Sequence, residues 1–279
     1  MRLAKFLSYA IQYCISIIYN FTTLKKTIKK IIIVNKKEGQ TPLQALELFR
    51  AQNQAYADLP MTYAGRLDPM ASGVLVLLAG EKTKEKEKYL ALEKEYEFEV
   101  LFGFATDTYD ILGKVTNLSY SVDKLLDVKL KQLILENLKY FTGKFVQKYP
   151  MYSSKTVDGK PLFTYARGGR EVEAPEREVY VKSLQFIKMR KITHQKLLVN
   201  IEKRIAKVEG DFRQKEILKI WQKKLNSGHS VSTIVSFKIK CSSGTYVRSI
   251  ANALGEKLKI PALAYSIKRT QVGRYKIKK

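Results

Sequence analysis

The run VLVLLAG at residues 74–80 constrains the fold more than any other part of this sequence, because it contains no charged or hydrogen-bonding side chain. Its length and its branched aliphatic residues predict a strand, and a strand without polar alternation is buried on both faces. Gly80 ends the run. A chain of 279 residues with 45% hydrophobic content can enclose such a strand, and we expect one domain with an insertion.

Strands and helices are predicted on both sides of this run. Residues 31–42 predict a buried strand and a glycine-containing turn, after which Thr41 caps a helix with Pro42 at its first position. A helical pattern begins at Glu81 and changes at Glu95 to the alternation of a half-buried strand. Further elements are a helix at 123–141 and a strand, turn and helix at 235–258. This irregular order predicts a mixed α/β sheet domain.

Residues 1–30 have a different character. The stretch FLSYAIQYCISIIYNFTTL at 6–24 carries no charge and is followed by several lysines. Its length approaches that of a membrane span, but its polar side chains would be costly in a bilayer, and no signal-peptide cleavage site follows it. We expect a non-essential N-terminal extension or an amphipathic helix, with a membrane anchor as the alternative.

The charge balance indicates a polyanionic partner. The chain has 51 Lys and Arg against 26 Asp and Glu, a formal charge of +25. Neutralising phosphates releases counterions, so a nucleic acid is the first candidate, and a lysine-rich genome composition is the alternative explanation. The loop at 150–169 interleaves basic residues with tyrosines, which suits base stacking, although a solvated loop with core aromatics has a similar composition. A basic helical insertion is predicted at about 201–230.

Cysteine and histidine are too rare for a metal enzyme. Cys14 and Cys241 lack the paired spacing of a zinc site or a disulfide framework, which indicates a reducing, cytoplasmic setting. His194 and His229 have too few partners for a metal triad and are expected at the surface.

Asp68 is the residue that most suggests chemistry. It lies in a turn bounded by Gly65 and Gly73 that leads into the buried run, so its carboxylate is expected near the interior, where an unpaired charge is costly. Arg66 would point differently along an extended chain, so we expect a distant arginine such as Arg248 as the partner. The alternative is that Asp68 only organises the turn, as Asx residues before proline often do.

Five motifs follow one another along the chain: GRLDPMASGVL, KEYEFEV, GFATDTYDILG, PMYSSKTVDGKPLFTYARGG and CSSGTYVRSIANALGEKL. Together, and in this order, they resemble the TruB family of tRNA pseudouridine synthases. Each is weak alone, but the resemblance covers roughly 31–275. It implies a pseudouridine synthase fold of the α+β type, in which helices and loops flank a mixed, mainly antiparallel central sheet. The catalytic domain would span 31–279.

The resemblance also implies the catalytic residues. Asp68 would be the nucleophile that attacks the target uridine at C6 of the base or at C1′ of the ribose, after which the base turns and rejoins through C5. Covalent catalysis needs an ionised carboxylate, which a neighbouring Arg248 would favour. Tyr96 would stack on the uracil and help to remove a proton, while Tyr246 would lie beside the flipped base.

Four further residues are expected to contact the substrate. Ile267 falls where the family has a leucine in the base pocket, with an ordinary core isoleucine as the alternative. Asp107 matches a family position near the active site, with a capping or turn role as the alternative. Lys155 lies in the basic loop, and Tyr63 could stack in the RNA fold.

The sequence departs from the family pattern at several places. Tyr63 replaces the histidine that usually precedes the Gly-x-Leu-Asp turn, and the Gly-Arg-Leu-Asp wording is closer to families that modify ribosomal RNA. Lys37 stands where a proline is expected. The chain ends soon after QVGRY, so we expect the usual C-terminal RNA-binding domain to be missing, with the basic insertion supplying part of the RNA grip.

The expected function is isomerisation of uridine-55 in the T-arm of tRNA by a cytoplasmic monomer. We expect no metal, no nucleotide cofactor and no membrane attachment. The enzymatic alternative is a pseudouridine synthase for ribosomal or another RNA. The alternatives outside catalysis are a tRNA-binding chaperone that has drifted from the family and a variant tethered to a membrane through residues 6–24.

Overall fold

The apolar run lies in strand β3 (Ala71–Ala79), in which Ser72 alone is not fully buried. Its burial on both faces confirms the prediction from the sequence. The computed structural model describes three ranges of the chain, which are residues 28–119, 127–226 and 230–277. The expected amphipathic helix or extension at 1–30 lies almost wholly outside these described residues.

Strands and helices follow one another without a repeating unit. The strands are β1 (Ile31–Lys36), β2 (Met61–Ala64), β3, β4 (Lys94–Phe102), β5 (Phe104–Thr106), β6 (Val115–Leu118), β7 (Gly143–Lys148), β8 (Thr156–Val157), β9 (Lys160–Pro161), β10 (Glu176–Thr193), β11 (Val231–Cys241), β12 (Ala262–Val272) and β13 (Tyr275–Lys276). The α-helices are α1 (Pro42–Ala51), α2 (Lys86–Leu90), α3 (Asp127–Asn137), α4 (Leu162–Arg167), α5 (His194–Ile205), α6 (Gln214–Leu225) and α7 (Val247–Leu258).

Within the described ranges, nine strands form one sheet in the order β1-β3-β12-β4-β11-β10-β7, with β2 paired to β3 and β13 paired to β12. Strands β3 and β12 are parallel, and the other pairs of this sheet are antiparallel. The predicted mixed, mainly antiparallel sheet is therefore confirmed. Its register places Ile267 beside Ala71 and Phe98, which brings two of the sequence motifs next to the expected pocket residue.

Helices cover both faces of the sheet. Successive strand residues point to opposite sides, so neighbouring residues of one strand pack against different helices. Val100 of β4 belongs to the buried cluster shared with α3 and α7, whereas the next residue, Leu101, belongs to the cluster shared with α5 and α6. The helical pair α5 and α6 places Trp221 fully inside that second cluster. The predicted insertion is therefore part of the core that covers one face of the sheet.

Several local predictions are confirmed. The Thr41 side chain accepts a hydrogen bond from the Gln44 backbone N–H, and Gln44 Oε1 accepts one from the Thr41 N–H, so that a capping box starts α1. The alternating residues of β4 and β11 are buried as expected: Tyr96, Phe98, Val100, Phe102, Val235, Phe237, Ile239 and Cys241.

Three predictions need correction. Strand β1 is only partly buried, because it lies at an edge of the sheet and has a single neighbouring strand. The helical region expected at about 201–230 begins earlier, at His194, and is a hairpin of two helices joined by residues 206–213. The segment at 150–169, which was expected to be a loop, contains the β8–β9 ribbon and helix α4. Leu162 is buried and anchors this helix to the domain.

The surface position expected for His194 is wrong. Its side chain is buried at the start of α5, where the ring packs edge-on against Phe104 with centroids 5.7 Å apart. His194 Nε2 lies 3.1 Å from Ser232 Oγ, so a neighbouring strand supplies the polar partner that makes burial tolerable.

Candidate active site

The turn that carries Asp68 has a fixed backbone. Gly65 and Gly73 adopt φ values of 85° and 107°, a region that residues with a Cβ rarely occupy. At Gly73 a Cβ would also collide with the backbone carbonyl oxygen of Arg269. The buried Arg269 guanidinium donates to the carbonyl oxygens of Gly65 (3.0 Å) and Val74 (2.8 Å), so it holds both ends of the turn.

A second buried cation supports the middle of the turn. Lys36 at the end of β1 is fully buried, and its Nζ donates to the carbonyl oxygen of Gln40 at 2.6 Å and to that of Pro69 at 3.4 Å. Burial lowers the pKa of the Lys36 ammonium to about 8, although the nearby Asp68 carboxylate opposes this shift. Sequence reasoning missed both Lys36 and Arg269. The available signal for Lys36 was a lysine at the end of a strand rich in β-branched residues.

Arg248 is the partner of Asp68, as the sequence predicted. Arg248 Nε donates to Asp68 Oδ2 at 2.6 Å and Nη2 to Oδ1 at 3.1 Å. The same guanidinium donates to the carbonyl oxygens of Thr108 (2.6 Å) and Tyr152 (3.2 Å). The Arg248 side chain is 3% exposed, whereas the Asp68 side chain is 35% exposed. The cation is therefore enclosed by protein, while its carboxylate stays open on one side.

Asp110 is a second carboxylate at this cation, and sequence reasoning missed it. Its Oδ2 lies 3.9 Å from Arg248 Nε, and its Oδ1 accepts from the Thr108 hydroxyl (2.7 Å) and from the Leu112 N–H (2.9 Å). Burial raises the pKa of the Asp110 carboxyl to about 6, Arg248 lowers it and the Asp68 charge raises it further. An aspartate directly before the apolar Ile-Leu pair was the available signal.

Arg248 remains a cation in this setting. Burial alone would lower the pKa of its guanidinium, but the carboxylates of Asp68 and Asp110 raise it above the ordinary value. Two carboxylates on one buried cation compete for it, and the more exposed of them is the one that a substrate can reach.

Apolar side chains surround the other side of the turn. Tyr96, Ile267 and Leu67 belong to the same buried cluster, so the structure brings together the expected stacking residue, the expected pocket residue and the neighbour of Asp68. Burial raises the pKa of the Tyr96 hydroxyl to about 12, against the opposing effect of Arg269. The phenol is therefore protonated at neutral pH.

Two tyrosines and a lysine extend the site from Arg248. The Tyr246 ring centroid lies 5.9 Å from the Arg248 guanidinium carbon and 5.6 Å from the Tyr149 ring, in an edge-on arrangement. Gln147 fixes the Tyr246 backbone by accepting from its N–H (2.8 Å) and donating to its carbonyl oxygen (3.1 Å). The exposed Lys155 ammonium lies 5.5 Å from the Tyr149 ring centroid. The site thus continues into an aromatic and cationic surface.

Two predicted contact residues have other neighbours. Asp107 Oδ2 accepts from Arg213 Nη1 at 2.7 Å, and Asp107 Oδ1 accepts from the Lys114 N–H at 2.8 Å, which is the geometry of a turn residue. Tyr63 packs against the cluster beneath α1, with the Lys86 ammonium 5.9 Å from its ring centroid. Their expected contacts with RNA stay predictions.

The described ranges contain no group of three or more His, Cys, Asp or Glu residues that could hold a metal ion. Cys241 is a buried free thiol, and burial raises its pKa to about 11. No helix within the same ranges has the length and apolarity that crossing a membrane requires. The uncharged stretch at 6–24 lies outside the described residues.

Sequence comparisons find relatives over most of the chain. The family model described as TruB family pseudouridylate synthase (N terminal domain) matches residues 60–205. A tRNA pseudouridine synthase B from Borreliella burgdorferi (strain ZS7) is 30% identical over 247 residues, which are 88% of this chain and 71% of the relative. The protein of the same name from Chlamydia muridarum (strain MoPn / Nigg) is 32% identical over 251 residues, covering 90% of this chain and 83% of the relative.

A solved structure shares the fold. A chain from the crystal structure of a Cbf5-Nop10-Gar1 complex superposes with a TM-score of 0.52 at 18% sequence identity, over 89% of this chain and 50% of that chain. The present chain thus spans about half the length of that solved chain. The likeness supports the predicted pseudouridine synthase fold, and the sequence matches establish the family. This chain therefore belongs to the TruB family of pseudouridylate synthases, which are isomerases.

Proposed function

We propose that this enzyme isomerises a uridine of tRNA to pseudouridine, with Asp68 as the nucleophile. The observation that carries the proposal is the unequal exposure of one ion pair, in which Arg248 is enclosed and the Asp68 carboxylate is open on one side. A carboxylate that is paired with a buried cation and accessible from solvent is suited to covalent catalysis. The tRNA pseudouridine synthase B relatives supply the substrate class.

The reaction needs only the protein and the RNA. Asp68 adds to C6 of the uracil or attacks C1′ of the ribose, and in either case the bond between N1 and C1′ breaks. The uracil then turns, a bond forms between C5 and C1′, and the bond from Asp68 to C6 or C1′ breaks and releases the carboxylate. The proton at C5 is lost, and N1 ends protonated. Atoms and electrons balance without an oxidant or a reductant, so the proposal includes neither a metal nor a nucleotide cofactor.

The target base must leave its stack to reach Asp68, because the bond between N1 and C1′ is inaccessible within a folded RNA loop. We assign Tyr96 and Ile267 to the apolar side of the base pocket and Tyr246 to the side near Arg248. A protonated Tyr96 supports the stacking part of its expected role more than the removal of a proton. Lys155 and the Tyr149 ring would contact the RNA outside the pocket.

Family resemblance makes uridine-55 in the T-arm the proposed target. Ribosomal RNA is the second candidate, which Tyr63 and the Gly-Arg-Leu-Asp wording favour. A non-catalytic chaperone would need only a basic surface, so the enclosed Arg248 and its two carboxylates count against that alternative. We also propose that the enzyme is a cytoplasmic monomer.

The test is to map pseudouridine in unmodified transcripts after incubation with the protein. We expect modification at uridine-55 of tRNA, none in a tRNA transcript with cytidine at that position, and none with Asp68→Asn, which should still bind tRNA in a gel-shift assay. Modification of ribosomal transcripts alone would replace the proposed substrate. An Asp68→Asn variant as active as the parent would exclude Asp68 as the nucleophile.

A further inference from the structure

The connector at 206–213, which joins α5 to α6, contacts two segments that also contact Arg248. The Arg213 guanidinium donates to Asp107 at 2.7 Å and 3.4 Å, and its central carbon lies 4.4 Å from the centroid of the Tyr152 ring. The carbonyl oxygen of Tyr152 in turn accepts from Arg248 Nη2. The α5–α6 hairpin is thus connected to Arg248, the partner of Asp68, through Tyr152.

The connector is built to hold Arg213 in place. Arg213 adopts φ 63°, a conformation that is rare for a residue with a side chain, and its N–H donates to Asp211 Oδ1 at 3.1 Å. Gln214 Nε2 donates to the carbonyl oxygens of Val208 (3.0 Å) and Gly210 (2.7 Å), which closes the loop on itself. A strained backbone position persists where its surroundings determine it strongly.

The helices behind the connector are firmly anchored. Trp221 of α6 is fully buried, and its indole N–H donates to the carbonyl oxygen of Ile111 at 3.2 Å. Lys114 forms an ion pair with Glu216 at 2.6 Å, which ties the β5–β6 hairpin to the first turn of α6. The connector therefore projects from a rigid part of the domain.

The connector also holds the segment at 150–169 at a second point. Arg167 Nη2 donates to the carbonyl oxygen of Asp211 at 2.8 Å, and its guanidinium carbon lies 5.8 Å from the Phe212 ring centroid. Within that segment only Pro150, Ser153 and Leu162 are buried. Because the segment has so little core of its own, contacts from outside must determine its position.

We infer that Arg213 is a positioning residue for the isomerisation, and that the α5–α6 hairpin is a buttress which holds the segment at 150–169 in its active-site position before RNA binds. Through Tyr152 it fixes one of the carbonyl oxygens that orient Arg248, and with it Asp68. The inference rests on the proposed function for its catalytic consequence, whereas the ordering of the segment can be measured without RNA.

The competing interpretation is that Arg213 binds an RNA phosphate directly. Its guanidinium already faces the Asp107 carboxylate and the Tyr152 ring, and only 18% of the side chain is exposed. A phosphate would have to displace Asp107 to reach it. A direct contact would also make binding more salt-dependent, because each phosphate contact adds about one to the slope of log affinity against log salt concentration.

The first experiment is limited digestion with chymotrypsin in the absence of RNA. Arg213→Gln should increase cleavage at Tyr152, Phe163 and Tyr165 about ten-fold, because the segment opens more often. Lys188→Gln, an equal charge change at an exposed position of β10, should leave cleavage as in the parent. Asp107→Asn breaks the same pair without altering α6 and should repeat the effect, so a folding defect of one variant cannot imitate it.

The second experiment measures isomerisation of a tRNA transcript. Arg213→Gln should lower kcat/KM about ten-fold with an unchanged salt slope, Arg213→Lys should recover part of the loss, and Tyr152→Leu combined with Arg213→Gln should add little further loss. Unchanged chymotrypsin cleavage of Arg213→Gln, or a salt slope smaller by about one in that variant, would overturn the inference that the hairpin positions the segment. If the parent itself fails to form pseudouridine, the proposed function fails, while the cleavage result still decides whether the hairpin orders the segment.

Discussion

Two aspartate–arginine pairs lie close together in this enzyme and differ in which partner is enclosed. Asp68 and Arg248 approach to 2.6 Å, and Asp107 and Arg213 approach to 2.7 Å. In the first pair the arginine is 3% exposed and the carboxylate 35%, whereas in the second the values are 18% and 21%. Although the distances are similar, the exposures differ, so we expect the open carboxylate to react and the evenly covered pair to hold two segments together.

The surroundings of the two cations reinforce this difference. Arg248 also faces Asp110 and two backbone carbonyl oxygens, so removing it would leave buried acceptors and charges without a partner. Arg213 has one carboxylate and an aromatic ring, and its loss exposes less uncompensated charge. The first pair should therefore matter more for both chemistry and stability.

The largest expected effect is the loss of chemistry in Asp68→Asn. An amide cannot act as the nucleophile, so the isomerisation rate should fall by at least about 10³-fold, whereas Asp107→Asn should lower it about ten-fold. Release of tritium from RNA labelled at C5 of uridine measures both rates. Equal losses of isomerisation rate in the two variants would show that the pair of Asp68 and Arg248 does not differ in function from the pair of Asp107 and Arg213.

The next effect concerns stability. Arg248→Gln leaves two carboxylates beside an uncharged amide and should lower the free energy of unfolding by about 3–5 kcal/mol. Arg213→Gln breaks a partly exposed pair and should cost about 1 kcal/mol. Urea unfolding at neutral pH compares them, and a cost for Arg213→Gln as large as that for Arg248→Gln would show that exposure does not separate the pairs.

A smaller effect is the pH dependence that Asp110 contributes. Its pKa is raised from 3.8 to about 6 in the folded chain, so between these values the folded state binds more protons than the unfolded state. The contribution of this group to the free energy of unfolding is fully present below the pKa of the unfolded state and is lost as pH rises through about 6. The full change in this contribution is at most roughly 3 kcal/mol.

Urea unfolding at about pH 4, pH 5 and pH 7 tests this contribution. Asp110→Asn should remove the fall in stability over that interval, and Asp107→Asn should keep it. An unchanged pH profile in Asp110→Asn would mean that Asp110 is not the carboxyl that Arg248 and Asp68 perturb.

Local sequence features predicted the elements that carry the site better than they predicted which side chains lie next to one another in it. An unbroken apolar run located β3, and hydrophobic alternation located β4. A charge in a glycine-bounded turn before a buried strand made Asp68 conspicuous. The need for a buried carboxylate to find a cation led correctly to Arg248, which is 180 residues away. These inferences succeed because they depend on patterns within a few residues or on a single cost of burial.

Asp110, Lys36 and Arg269 could not be predicted in the same way. Each is a charged residue whose role depends on which carbonyls or ions surround it after the sheet forms. The helical insertion was recognised as basic, but its buried face was not, since the charged residues of a helix dominate its composition while Trp221 and its neighbours determine its packing.

The sequence by itself determined the family and the buried central strand, because family motifs and apolar runs are properties of short stretches. It predicted Arg248 as the partner of Asp68 only as one distant arginine, and the tertiary structure decided that pairing. Only the tertiary structure decided that Asp110 shares the buried cation, that Asp107 pairs with Arg213 and that the inserted hairpin contacts the segment beside Arg248. Asp107 and Arg213 are 106 positions apart, and the energies of such contacts exist only once the sheet has brought the segments together.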